Sequence, residues 1–136
     1  FYMYQTKKVH YKAVFKQDDE HQTIEYKAKG LFHQDQKTSL DFDTPEGHIQ
    51  ISYDDQEVHL QHGNSLLKFH KEKPFWNQYQ LPYGSVALKT KLLKFQNNQD
   101  SMKLKYELYD QQGLISTVYI MITMKAYCLV DEHENI

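Results

Sequence analysis

No arginine occurs in this chain of 136 residues; all 16 of its basic residues are lysines. The guanidinium fork that grips phosphate or carboxylate through two parallel bonds is therefore missing, and guanine readout in a DNA groove loses its commonest partner. A codon bias favouring Lys, Asn and Gln accounts for the same absence. Cys128 is the single cysteine, which excludes an intrachain disulfide and gives no sign of an oxidising compartment. No apolar stretch approaches the length of a membrane span, and the opening FYMYQTKK does not read as a signal peptide. A cytoplasmic location is the expectation. The net charge is −2 with a pI near 6.5, so no global field draws the chain to nucleic acid or to an anionic membrane, and neither is expected as a partner. Glycine-rich phosphate loops are absent, and no segment carries convincing helical periodicity.

What the chain does contain is strand alternation, and its clearest run is HIQISYDDQEVHLQHGNSLLKFH, from His48 to His70. Ile49, Ile51 and Tyr53 share one side, followed by Val58 and Leu60, then Leu67 and Phe69. With Asp54-Asp55 and Gly63-Asn64 as two-residue hairpin loops, Ile51 falls opposite Val58, Ile49 opposite Leu60, Val58 opposite Phe69 and Leu60 opposite Leu67. A one-residue slip would set apolar against polar along the whole ladder. Four of the five glycines and all three prolines lie between such alternations, where they punctuate turns.

Upstream, Val9, Tyr11, Ala13 and Phe15 alternate, as do Ile24, Tyr26 and Ala28, before Gly30 marks a bulge or sharp bend. Leu40 and Phe42 form a short strand ended by Thr44-Pro45-Glu46-Gly47. Downstream, Val86, Leu88 and Leu92 share a face, and the parity switch to Leu93 and Phe95 predicts an irregularity near Leu92. Met102, Leu104, Tyr106 and Leu108 face Ile120, Val118, Ser116 and Leu114 across Asp110-Gln111-Gln112, with Gly113 in a left-handed bulge. Gln17–Gln22 reads as a polar loop and Lys71–Gln80 as irregular but aromatic.

Eight to ten strands on short connections form an antiparallel up-and-down sheet, which must close or stack to protect its edges. The expectation is one all-β domain over residues 1–136, a barrel with its core at roughly 8–125 and a C-terminal tail at 126–136. Its predicted interior includes Ile49, Ile51, Val58, Leu60, Leu67, Phe69, Val86, Leu88, Leu104, Val118, Ile120 and Ile122.

Three motifs carry a family resemblance: V-x-L-x-x-G at Val58–Gly63, Y-x-x-P-Y-G at Tyr79–Gly84 and Y-x-L-x-x-x-x-G at Tyr106–Gly113. With them, roughly Lys8 to Lys125 resembles the YwiB-like family of small bacterial proteins of unknown function. That resemblance implies a calycin-like, eight-stranded closed barrel similar to lipocalins, and it supplies no catalytic residues. Where the family's first motif usually ends R-x-G, this chain has Gln61-His62-Gly63. The Gly-x-Trp and the disulfide of lipocalins proper are both absent.

Chemical constellations are sparse. His59 and His62 are three apart, so on a strand they point to opposite faces; His48 and His59 share a face but find no third metal ligand. Cys128 beside Leu129 and Val130 has no activating cation. Carboxylates gather at Asp18-Asp19-Glu20, Asp54-Asp55 and Glu132–Glu134, where solvated loop charge explains them. KLKYELY at Lys103–Tyr109 alternates lysine with aromatics as a stacking platform does, but as any half-exposed strand does too. No enzyme activity, cofactor or metal is expected.

Two function classes remain. One is a non-catalytic ligand-binding barrel for a small apolar or amphipathic molecule, with Tyr11, Tyr26, Tyr53 and Tyr106 offering inward hydroxyls. The other is a protein-interaction or scaffold module whose barrel is filled and whose aromatic loop, Pro74 to Gly84, meets a partner through Trp76, Tyr79, Pro82 and Tyr83. Trp76 is expected to pack inward as a plug, with Tyr83 partly exposed.

Overall fold

The alternations become ten antiparallel strands in a computed structural model of the chain, which describes residues 3–127. In order they are β1 (Met3–Gln17), β2 (Glu20–Gln34), β3 (Thr38–Thr44), β4 (Gly47–Tyr53), β5 (Glu57–His62), β6 (Ser65–His70), β7 (Phe75–Leu81), β8 (Gly84–Asn97), β9 (Ser101–Asp110) and β10 (Gly113–Ala126). The tail beyond Tyr127, with Cys128 and the tail carboxylates, lies outside the described residues. Each strand pairs with its sequence neighbour except at β6 and β7, and β1 pairs with β10. The sheet therefore runs β6-β5-β4-β3-β2-β1-β10-β9-β8-β7 and curls into a nearly closed up-and-down barrel. Ten strands stand where the family resemblance implies eight.

Side-chain direction along each strand is fixed by the period of two. Val9, Tyr11 and Ala13 of β1, Leu40 and Phe42 of β3, Met102, Leu104 and Tyr106 of β9, and Val118, Ile120, Ile122 and Met124 of β10 all turn inward and are buried. Of the twelve predicted interior residues, Leu60 is only half-buried and Val86 is 37% exposed; the other ten are in the core. Val86 lies on the stretch of β8 that precedes its pairing with β9 at Lys89, so the sheet no longer encloses it.

Two predicted registers are each displaced by two residues. In the β4–β5 hairpin, Ile51 faces Leu60 and Ile49 faces His62. The Asp54 amide donates to the Glu57 carbonyl at 3.1 Å, and its carboxylate accepts from the Gln56 and Glu57 amides, both at 2.9 Å. This local Asx bonding moves the turn onto Asp55-Gln56. Across β9 and β10, Met102 faces Ile122 and Leu104 faces Ile120, with the bulge at Ile115 rather than at Gly113. A two-residue shift leaves every side chain on its predicted face, because the period is two. The Gly63-Asn64 turn and the irregularity after Leu92 fall where the sequence puts them.

Gly30 forms no bulge: β1 and β2 pair without a break from Met3↔Gln34 to Gln17↔Glu20. What Gly30 permits is close approach. A Cβ there would lie 2.6 Å from Val9 Cγ2 and 3.0 Å from the Asp41 carbonyl oxygen. The polar Gln17–Gln22 segment is strand on both sides of an Asp18-Asp19 turn, and Lys71–Gln80 contains most of β7.

Where β6 meets β7, side chains replace a backbone ladder. Asn77 points inward from β7 and is buried. Its Oδ1 accepts from the Lys68 amide at 2.8 Å, and its Nδ2 donates to the Lys68 carbonyl at 3.1 Å. Thr90 Oγ1 donates to the same carbonyl at 2.7 Å, and Ser65 Oγ donates to the Gln80 carbonyl at 2.6 Å. The carboxamide of Asn77 thus acts as one peptide group of a missing rung.

Candidate functional site: a tyrosine-lined interior

The inner face of β1, β2, β7 and β9 brings four tyrosines toward one another. Tyr11 stands opposite Tyr26 in the β1–β2 ladder, with ring centroids 6.1 Å apart, and its other side packs on Phe42 at 5.5 Å. Tyr106 packs on Phe69 at 4.6 Å. Tyr79, on β7, packs half-buried against the same core. Burial, reinforced by Tyr26, pushes the Tyr11 phenol up to about 12. Burial, with Tyr11 and Tyr79 adding to it, holds the Tyr106 phenol well above its ordinary value. Both are neutral at any physiological pH and can donate or accept a hydrogen bond but cannot serve as bases.

Tyr106 is only 4% exposed. Among the described residues no hydrogen bond engages its hydroxyl or that of Tyr11, yet no buried side-chain oxygen is left both unpaired and sealed off. Both statements hold because these hydroxyls open onto space that a water molecule can enter. Around them, the inward Phe15, Tyr26, Tyr79, Leu108 and Ile115 are half-buried, while Phe69, Leu40, Ile51 and Ile120 are fully enclosed. One part of the interior is thus sealed, and another, richer in tyrosine, is partly open to solvent. The one charged residue of the buried set is Lys7, whose Nζ lies 5.6 Å over the Phe32 ring and 3.5 Å from the Gln99 carbonyl.

The predicted site residues separate. Tyr53 stands apart from the other tyrosines, where β4 turns into β5; its hydroxyl donates to Asn97 Oδ1 at 3.2 Å and its ring meets Phe95 at 4.9 Å. Burial raises its phenol, offset by a bond with Thr38. The aromatic loop is a hairpin: Tyr79 is inward, Pro82-Tyr83 is the β7–β8 turn, and Tyr83 is 87% exposed. Trp76 is no plug. It is 51% exposed, on the outer face, with the Lys89 ammonium 5.7 Å over its ring. The alternation Phe75, Asn77, Tyr79, Leu81 inward leaves it no other direction. Asn77, Thr90 and Lys7 escaped the sequence reading, since polar residues at inward positions break the apolar pattern by which a core is recognised.

His48 and His59 are not diagonal neighbours once the register is displaced. The Nδ1 of His48 meets Asp43 Oδ1 at 2.8 Å and its Nε2 meets Asp41 Oδ1 at 3.0 Å; those carboxylates raise its pKa. His59 pairs with Glu57 at 2.8 Å. No group of three His, Cys, Asp or Glu among the described residues is arranged to hold a metal ion, and no helix is long and apolar enough to cross a membrane.

A sequence model of the domain of unknown function DUF1934 matches residues 9–122, most of the barrel. The chain belongs to that family. Among solved structures, the crystal structure of the YwiB protein from Bacillus subtilis matches this DUF1934 domain with a TM-score of 0.74 at 17% identity, covering 92% of this chain and 94% of that one. At that identity the likeness speaks for the fold, and it agrees with the resemblance carried by the three motifs. No curated protein matches the chain.

Proposed function

We propose that this DUF1934 domain is a non-catalytic barrel that binds a small, uncharged amphipathic molecule at the partly open, tyrosine-lined part of its interior. The observation that supports the reading is the Tyr106 hydroxyl, which bonds no described residue and opens onto water-accessible space from an otherwise buried side chain. A hydroxyl in that position is satisfied by water or by the polar end of a ligand that displaces it. Tyr11, Tyr26 and Tyr79 surround it with aromatic surface and further hydroxyls, which suits a ligand with one polar end and an apolar body. Among the described residues Lys7 is the one buried charge, which argues for a neutral ligand. A cytoplasmic setting belongs to the same proposal, since one cysteine permits no internal disulfide.

Native mass spectrometry of protein purified from cells tests this. A reproducible added mass, lost in Tyr106→Phe, is the expected result. Protein of bare mass, together with a Tyr106→Phe variant that is simply more stable, would overturn the reading.

A second reading, a protein-interaction or scaffold module, draws on the exposure of Trp76 and Tyr83 beside a largely filled interior. Exposed aromatics are common interface anchors. A partner whose binding depends on both residues would favour it.

A further inference from the structure

The net charge of −2 conceals a segregation. Outward positions of β3 and β5 carry Asp41, Asp43 and Glu57, whereas those of β8, β9, β1 and β2 carry two or three lysines each and β10 carries Lys125. Lys94 stands directly opposite Lys105, and Lys8 stands opposite both Lys125 and Lys29. Like charges set face to face across strands are unfavourable. Two acids interrupt the rows: Glu25 stands opposite Lys12 and bonds His10, and Glu107 stands opposite Lys91 and accepts from the Tyr109 hydroxyl at 2.9 Å. Two aromatic rings stand among the lysines. Tyr119 lies between Lys105 and Val14, and Lys89 sits 4.7 Å over Tyr109.

Two grooves run over this surface. One, of about 630 Å³, includes Lys16, Asp18, His21, Lys105, Glu107 and Tyr119. The other, of about 580 Å³, includes Lys27, Lys29, Lys125 and Tyr127.

We propose that this outer face binds single-stranded nucleic acid. Ammonium groups on alternate residues recur about every 7 Å along a strand, and grooves that combine such a row with exposed rings hold a phosphate backbone while bases stack on the aromatics. The recess favours a strand over a bilayer: Lys105 and Tyr119 are half-buried on a groove floor, where a flat membrane surface does not reach. Without an arginine fork or an inserted helix, recognition rests on charge and stacking, so it is indifferent to base sequence. The overall charge that argues against nucleic acid is an average over two unlike faces, and a strand meets only one of them.

Fluorescence anisotropy of a labelled oligothymidylate of about 16 nucleotides tests the proposal on the full chain. If four phosphates are engaged, affinity falls about 50-fold between roughly 50 and 200 mM salt. Lys16→Gln, Lys91→Gln, Lys94→Gln and Lys105→Gln combined should abolish most of that salt dependence. Their unfolding midpoint should change little, because the variant relieves the Lys94–Lys105 pair while it removes Lys91 from opposite Glu107. Tyr119→Ser should weaken binding roughly 5-fold or more at every salt concentration with the slope unchanged. No anisotropy change at low salt overturns the proposal, as does a salt slope indifferent to the four lysines. Stronger retention on phosphatidylserine vesicles through the same lysines would assign the face to a membrane instead.

Discussion

Replacing Asn77 with alanine should open the seam between β6 and β7. In the native barrel its carboxamide satisfies both the amide and the carbonyl of Lys68, at 2.8 and 3.1 Å, while Thr90 adds a second donor to that carbonyl at 2.7 Å. After Asn77→Ala the carbonyl keeps Thr90 but the amide loses its partner. Leaving a buried donor unsatisfied costs about 1–3 kcal/mol, and the second bond contributes about 1 kcal/mol. The sum, about 2–4 kcal/mol, is a large part of the roughly 5–15 kcal/mol that holds a domain folded. With a urea m-value of about 2 kcal/mol/M, the midpoint should fall by about 1–2 M. Thr90→Val alone should cost less, because Asn77 still serves the carbonyl. The double variant should cost more than the sum of the two, by about 0.5 kcal/mol or more, because only then does the carbonyl lose every partner. A midpoint for Asn77→Ala within about 0.3 M of the wild type would refute this account and show that the Asn77 bonds do not hold β6 against β7.

Trp76, the single indole, should emit as a solvated fluorophore open to acrylamide, and Trp76→Ala should cost no more than about 0.5 kcal/mol; blue-shifted, protected emission would contradict its outward position. Gly30→Ala should destabilise by about 1–3 kcal/mol, the usual cost of overpacking, because the new methyl meets Val9 and a fixed carbonyl; adding Val9→Ala should recover part of the loss in the same unfolding assay. The raised phenol of Tyr11 gives stability that is intact below pH about 10 and declines as pH rises toward about 12; ultraviolet titration of Tyr11→Phe should show less late-ionising tyrosinate than the wild type. The raised His48 contributes stability that is fully present below pH about 6.5 and lost as pH rises through its folded value; His48→Gln should flatten that slope, and an unaltered pH profile would show that the two aspartates do not hold the imidazolium.

The fold was legible because alternation is a redundant signal. Ile49, Ile51, Val58, Leu67 and Phe69 each report the same inside face, and an error of two residues in a turn leaves that report unchanged. Turn position itself depends on single hydrogen bonds, such as those of the Asp54 carboxylate, and no pattern records them. β7 was hidden for a related reason: Asn77 occupies the position where an apolar residue would have completed the alternation, and its purpose lies in Lys68, nine residues away. The candidate site was half legible. Tyr11, Tyr26 and Tyr106 could be assigned inward from their strands, but their convergence with Tyr79, and the separation of Tyr53, follow from barrel closure. The lysine rows were beyond reach for the same reason, since Lys8, Lys29 and Lys125 become neighbours only once β1 lies between β2 and β10.

The pairing of β1 with β10 places the two ends of the described chain in the middle of the sheet, with Lys7 beside Ala126. The topological break in the barrel lies instead between β6 and β7, spanned by the short link from Lys71 to Pro74. This has a consequence for biosynthesis. Until Gly113–Ala126 has been made, the completed strands form two meanders, β1 to β6 and β7 to β9, whose β1 and β9 edges await the same last strand. Exposed edges of this kind invite pairing with other chains. A circular permutant that joins β10 to β1 and opens the chain within Lys71–Pro74 would turn the longest-range pairing into a local one. Its new ends would fall at the one boundary where no backbone ladder has to form, and it should fold faster than the natural order of strands allows.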